Sequence, residues 1–433
     1  MSQIFDPKTT STNGLVEFSP DKTAGKELVF YHADEGQPLA TPWQVALARS
    51  KLLTEIQLPE GYILDCACGS GIQLGAHIAL LQRPGIGVEL NPARAQASAV
   101  NIQSIANYRN ESTADYFVQT RILSGDGRDG AVVCASIADH FQFQSMPSIA
   151  FLHLDPARPR NSRTHGLNEM APRLDEVFQG WKKHLNHGPA GPSILLDLSP
   201  RLSHQQRLDV EAIVDQVWQG IARTWVWTSR GRGRIDRLAL WLGGAASAQH
   251  ARRFVRIPPT ITEDAKVVSG GLPIKHGDGI PQQTQKTPQR GEYMTILDAA
   301  LVESGLANDW ISTVTKSDEI TWNVVEGRRP QIHHQKPLRI DGENNRLMVQ
   351  ATGRIVALAH TKLMLETVDE LVELCLENDI SQLTVRAPLP PDIQPKIQGA
   401  FDRQLSRRHG RREAFLIQHS GSETLVICVV EEA

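Results

Sequence analysis

Three acids and two glycines carry the first chemical signal in this sequence. Asp65, Gly69 and Gly71 lie in "LDCACGSGIQLGAH", Glu89 in "GVELNP", and Asp126 in "SGDGRD". Each acid closes an apolar, strand-like run that helix-forming sequence then follows. A turn with two glycines lets the backbone bend tightly and approach a ligand. Asp65 can accept hydrogen bonds from loop amides or from a ligand ammonium. A carboxylate ending the next strand can take both hydroxyls of a ribose, and one ending the third can face a base edge. The three together describe a cradle for a nucleoside-bearing cofactor. Ala67 stands between Asp65 and Gly69 and fits such a turn if its φ is negative. Cys66 and Cys68 raise a rival chemistry, metal or redox. No second Cys/His pair follows at ligand spacing, so they read as small buried residues and no metal is expected. A dinucleotide fingerprint fits poorly, because its third, helix-proximal glycine is not matched by "GSGIQLG".

The reaction side of such a pocket would lie at the end of the fourth strand, "FLHLDPARPRNSRTHG". Asp155, followed by Pro156, offers an acid that can orient a nucleophile. Arg158, Arg160 and Arg163 offer guanidinium groups suited to phosphate, or form a solvated loop.

These residues need a sheet to position them. Continuous apolar runs "YILDCA", "GIGVEL", "TRILSGD", "IAFLHLD", "SILLDLS", "TWVWTS" and "RLALWLG" alternate with helical stretches near 72–82, 92–107, 131–140, 172–185 and 203–218. Unbroken apolar strands between helices predict a doubly covered, largely parallel sheet. The last two runs are joined only by "RGRGRID", too short for a helical crossover, and therefore pair antiparallel. Another helix is expected after Pro42. Residues 244–292, rich in Gly, Pro, Gln and Thr, read as a linker or long crossing loop. "MTILDAALVESGLANDWI" beyond it reads as helix, and the tail mixes a helix with short strands. His333 and His334 read as surface or packing residues.

The chain has 433 residues, a formal net charge of −3 and 40% hydrophobic residues. That length suits two or three domains. A near-neutral chain does not wrap nucleic acid over its whole surface, so any such contact uses local basic patches. Arg403, Arg407, Arg408, Arg411 and Arg412 make one such run, and Arg230, Arg232 and Arg234 another; either is equally a solvated charged face. Five scattered cysteines make no disulfide framework. A polar start and no long apolar run point to a soluble cytoplasmic protein with no membrane contact.

The motifs resemble those of class I S-adenosylmethionine-dependent methyltransferases, and "LATPWQVALARSKLL", "HLDPARPR", "LLDLSPRLS" and "TWVWTSRGRGRIDRLALWLG" extend the likeness to bacterial members carrying a C-terminal THUMP-like domain. The resemblance covers most of 27–433. It implies a Rossmann-like seven-stranded α/β sheet followed by a smaller α+β region. The implied organisation is a flexible N-terminus at 1–26, a methyltransferase domain at 27–244, a linker at 245–292, a small ferredoxin-like segment at 293–350 and a THUMP-like domain at 351–433. S-adenosylmethionine is the implied cofactor, held by Asp65, Ala67, Gly69, Gly71, Glu89 and Asp126. Asp155-Pro156 matches the catalytic motif of nucleic-acid methyltransferases, with RNA as the implied substrate and Arg158, Arg160, Arg163, Arg407, Arg408, Arg411 and Arg412 as RNA contacts. The sequence departs from that motif at Ala157 and Arg158, where amine-methylating enzymes place a proline and a base-stacking aromatic. Two other readings follow: an enzyme of this fold acting on a protein or small molecule, and a non-catalytic RNA-binding protein keeping the pocket.

Overall fold

A computed structural model describes residues 3–17, 28–33, 40–157, 166–271, 279–284, 286–315, 320–407, 410–419 and 423–430. The apolar runs become strands β1 (Gln3–Phe5), β2 (Tyr62–Asp65), β3 (Gly85–Glu89), β4 (Arg121–Ser124), β5 (Ile149–Leu154), β6 (Gly191–Leu198), β7 (Arg223–Ser229), β8 (Arg237–Gly243), β9 (Arg252–Arg256) and β10 (Lys266–Gly270). They form one sheet in the order β1-β4-β3-β2-β5-β6-β8-β7-β9-β10. The strands β4, β3, β2, β5 and β6 run parallel, while β8 is antiparallel to both neighbours. All seven strands read from the sequence are present.

Helices α1 (Trp43–Leu53), α2 (Ile72–Leu81) and α3 (Pro92–Tyr108) cover one face, packing on Ile63, Ile122, Phe151 and Leu195. Helices α4 (Gly130–Phe141), α5 (Leu174–Trp181) and α6 (His204–Val217) cover the other, against Leu64, Leu152, Leu196 and Trp225. Strand residues alternate between the two cores, which is why both parities are apolar. Local signals set the helix starts. Asn91 accepts hydrogen bonds from the amides of Ala93 and Arg94 ahead of α3, whose first residue is Pro92. Ser203 and Gln206 form a reciprocal capping box on α6.

Three expectations change. Residues 3–5, read as part of a flexible N-terminus, pair antiparallel with β4 at the sheet edge. The stretch read as a linker contributes β9, parallel to β7, and β10, antiparallel to β9. These strands have only five residues each and sit among Gly, Pro and Thr, and the neighbour that orders them comes from elsewhere in the sheet. "YMTIL" is strand β11 (Tyr293–Leu297) rather than the start of a helix; helices α7 (Ala299–Glu303) and α8 (Ala307–Val314) follow it. A short apolar run carries no clear period, and here pairing on both sides decides the outcome.

The remaining strands are β12 (Ile320–Val324), β13 (Gln331–His334), β14 (Val349–His360), β15 (Ile380–Val385), β16 (Arg412–Gln418) and β17 (Thr424–Val429). With β11 they form a second sheet, β12-β13-β11-β14-β17-β16-β15. Because β14 pairs with β11 on one side and β17 on the other, no boundary separates the chain at 350. Helices α9 (Val368–Glu377) and α10 (Gln394–Leu405) pack on the β14–β17 side. One continuous core joins Trp225, Trp227 and Phe254 of the first sheet to Leu297, Ala300, Leu301 and Trp310. Among the described residues no helix is long and apolar enough to cross a membrane.

Candidate cofactor and substrate site

The turn after β2 is built as its glycines suggest. Gly69 has φ 51° and Gly71 φ 71°, the left-handed region that residues with a Cβ rarely adopt. At Gly71 space also demands glycine, since a Cβ would lie 2.2 Å from Ser98 Oγ. Ala67 does not share this conformation, so its methyl group costs the turn nothing. Asp65 is 1% exposed and spends its carboxylate inside the protein. Its Oδ1 accepts from the Ala67 amide at 3.2 Å, and its Oδ2 lies 2.7 Å from His153 Nδ1. The loop-amide role is therefore met directly.

Glu89 fixes the loop from the next strand. Its Oε2 accepts from the Gly69 amide at 3.1 Å and its Oε1 from the Asn91 amide at 2.9 Å. A carboxylate has about four lone-pair sites, so each oxygen can still accept from a hydroxyl. Leu90, beside it, is 76% exposed, an unusual position for a leucine at a strand end and a ready apolar platform for a ring. Asp126 is exposed, but Arg128 clasps it through Nε at 2.9 Å and Nη2 at 2.6 Å, and Arg128 also pairs with Glu176 at 3.0 Å. The Arg128 hydrogen bonds hold the Asp126 carboxyl below its ordinary range. A base edge reaching Asp126 would share it with this arginine.

Beneath the turn runs a buried polar chain that sequence reasoning missed. His153 on β5 places Nδ1 against Asp65 and Nε2 3.1 Å from Asp197 Oδ2 on β6. Both ring nitrogens face carboxylate oxygens, so both donate and the ring is an imidazolium. Burial opposes that charge, but the Asp65 carboxylate and the Asp197 hydrogen bond prevail, and the pKa is pushed up to about 9. Asp197 Oδ1 accepts from Arg49 Nη2 of α1 at 2.6 Å, and Arg49 Nη1 donates to Gln73 Oε1 at 3.1 Å. Burial raises the Asp197 carboxyl, yet Arg49 and His153 together carry it well below its usual range. Gln73 turns its amide nitrogen to His77 Nε2 at 3.2 Å, and His77 Nδ1 lies 2.9 Å from Ser50 Oγ. His77 is neutral, its pKa lowered by burial and by the nearby charges of His153 and Arg49. Two cations and two anions cancel, which makes so much buried charge tolerable. The only trace in the sequence is one polar residue inside each apolar run, "FLHLD" and "LLDLS".

Asp155 follows β5 at the same edge and is half-buried, with Pro156 buried behind it. Ala157 is locked by paired backbone hydrogen bonds to Ala171, both 2.9 Å. Burial raises the Asp155 carboxyl and Asp197 adds to the rise, while Arg237, His153 and Arg49 pull against it. Arg158, Arg160, Arg163 and Arg408 lie outside the described residues. Arg407, Arg411 and Arg412 are exposed where β16 begins, and Arg411 pairs with Asp379 at 3.1 Å. Strand β16 and its neighbour β15 form the edge of the second sheet, three strands away from β11, which leads into the shared core. Cys66 and Cys68 are buried thiols, raised by burial and by the adjacent Asp65 charge, as their packing role requires. His333 and His334 are buried in β13, with His333 Nδ1 2.7 Å from Asn323 Oδ1. Among the described residues no group of three metal-binding side chains converges.

The central seven strands run in the order β4-β3-β2-β5-β6-β8-β7 with β8 reversed, and comparison with solved structures finds proteins of similar fold. A Porphyromonas gingivalis W83 protein named as a methyltransferase matches over 93% of this chain and 83% of its own, with a TM-score of 0.56 and 12% identity. A Listeria monocytogenes protein named as a class I S-adenosylmethionine-dependent methyltransferase matches over 52% of this chain and 67% of its own, with a TM-score of 0.34 and 12% identity. The N-terminal domain of human METTL16 with SAH matches over 47% and 71%, with a TM-score of 0.31 and 14% identity. The sequence matches no protein-family model and no curated protein. The chain thus has the methyltransferase fold, and its likeness to the Porphyromonas protein extends over both sheets.

Proposed function

We propose that the protein is an S-adenosylmethionine-dependent methyltransferase acting on RNA. The observation that carries this reading is the Glu89 carboxylate, held by two backbone amides beside exposed Leu90, on the sheet edge that also presents Asp155. Those residues fit the cofactor: Glu89 for the ribose hydroxyls, Leu90 for the adenine face, Gly69 and Gly71 for close backbone approach. Bound there, the sulfonium supplies an activated methyl group, and the protein's share of the work is positioning and exclusion of water. Asp155, with its carboxyl raised, is suited to accept a proton from the substrate nucleophile as it becomes reactive. RNA is supported by the motif resemblance and by Arg232 and Arg234, exposed on the loop after β7 on the strand-end side of the first sheet.

Calorimetry with S-adenosylhomocysteine tests the cofactor reading. Glu89→Ala should weaken binding at least tenfold, about 1.4 kcal/mol, while Asp155→Ala should abolish transfer with affinity nearly unchanged. No binding by the intact protein would sink this reading. Arg158, in the place of a stacking aromatic, favours one alternative, a pocket kept without catalysis. Mass spectrometry of RNA from cells with and without the protein separates the two, since only an enzyme removes a modification when deleted.

A further inference from the structure

The hairpin loop between β7 and β8 stands on the ligand edge of the first sheet. Strand β7 runs in the same direction as β6, because both are antiparallel to β8, so its end at Ser229 lies on the side where Asp65 and Glu89 end their strands. Three successive residues there, Gly231, Arg232 and Gly233, have φ of 84°, 63° and 66°. A residue with a side chain in that conformation is costly, and such cost is retained where the neighbouring structure dictates it. Two contacts close round the loop: a Cβ on Gly233 would lie 2.5 Å from the Arg328 carbonyl oxygen of the second sheet, and one on Gly231 2.5 Å from Arg256 Nη2 of β9 in the first. Within the second sheet Gln350 holds the Arg328 side of this contact in place by donating to both Leu297 and Arg328 carbonyls, at 2.7 and 2.9 Å, and its own Oε1 would lie 3.2 Å from a Cβ on Gly233.

This junction aligns arginines from distant parts of the chain. Arg232 and Arg234 are exposed on the loop, and Arg328 is exposed on the hairpin between β12 and β13. Arg329 reaches across to donate to the Ala387 carbonyl at 2.6 Å, which sets it beside Arg386 at the end of β15. Arg386 Nε is buried without a partner among the described residues. Burial, with the like charges of Arg386 and Arg328, lowers the Arg329 pKa. Among the described residues none of these five guanidiniums has a carboxylate partner, whereas Arg230 is paired with Asp236 and Arg256 with Asp298. Cations gathered without anions are unfavourable unless a ligand supplies the charge.

We infer that Arg232, Arg234, Arg328, Arg329 and Arg386 form one seam across the two sheets that holds the phosphodiester backbone of the RNA substrate beside the pocket. The inference rests on the RNA reading above and assigns the binding surface to this seam rather than to the run ending at Arg412. The test uses the full chain and a fluorescein-labelled, mixed-sequence single-stranded RNA, with affinity measured over a potassium chloride series. The triple variant R232Q/R234Q/R328Q should bind at least tenfold more weakly. Its log affinity against log salt should be shallower by about 2, at roughly 0.7 for each phosphate left without its guanidinium. S-adenosylhomocysteine affinity should be unchanged, which shows the variant is folded. Arg386→Gln should weaken RNA binding with the same control, while R407Q/R411Q/R412Q should do so less than the triple. Wild-type affinity and slope in the triple variant, with weakened binding in the R407Q/R411Q/R412Q variant, overturn the seam and leave the RNA reading standing. Failure of the wild-type protein to bind this RNA at low salt overturns both.

Discussion

At the scale of single residues, Asp155 is governed by charges that sequence could not assemble. Its carboxyl is raised by burial and by Asp197, and Arg237 is the foremost charge opposing that rise. A carboxyl raised in the folded enzyme loses its negative form as pH falls through that raised value, so methyl transfer should fall away on the acid side above the ordinary carboxylate range. Arg237→Gln removes the opposing charge and should move this acid limb of kcat/KM to higher pH; an unmoved limb would exclude Asp155 as the titrating group. Asp65, Glu89, Gly69 and Gly71 were legible because strand ends and glycine turns are local patterns. His153, Asp197, Arg49 and Leu90 were not. A buried charge is recognised by its partners, and Arg49 meets Asp197 across 148 positions of chain.

At the scale of elements, the chain Asp65–His153–Asp197–Arg49 pins β2, β5, β6 and α1 at one level beneath the turn. His153 has a folded pKa of about 9 against roughly 6.5 when unfolded. The stability it contributes is fully present below about pH 6.5 and is lost as pH rises through about 9. The melting temperature of the wild-type protein should therefore fall across that window, and His153→Gln should be less stable at its acid end with a flatter curve. Parallel curves would show that the imidazolium carries no such linkage. The seven central strands were readable as unbroken apolar runs because helices cover both faces. The strands β9 and β10 were not, since five residues among prolines and glycines acquire a strand's identity only from β7 beside them. The same holds for β11, where pairing overrides a helical reading of "MTILDAA".

At the scale of the whole molecule, the two sheets share buried material. Ser229 Oγ donates to Asp298 Oδ2 at 2.7 Å, Arg207 pairs with Glu303 at 3.0 Å, and Arg252 donates to the Ser304 carbonyl at 3.2 Å. With the continuous apolar core, these bonds predict one cooperative unfolding transition rather than two. Calorimetric scanning checks this, and two separated transitions would contradict it. A fragment ending at 243 should be insoluble, because Trp225 and Trp227 would lose the cover of α7 and α8; a folded, cofactor-binding fragment would refute the dependence. No local pattern announces such an interface, as each side reads as ordinary core.

That shared core also orders events during synthesis. The central seven strands have all left the ribosome once residue 243 has emerged, yet the tryptophan face of β7 must wait for Ala300, Leu301 and Trp310 to be translated. The nascent chain therefore carries an open apolar surface while β9, β10 and β11 are being made, and its dependence on chaperones should be greatest in that interval.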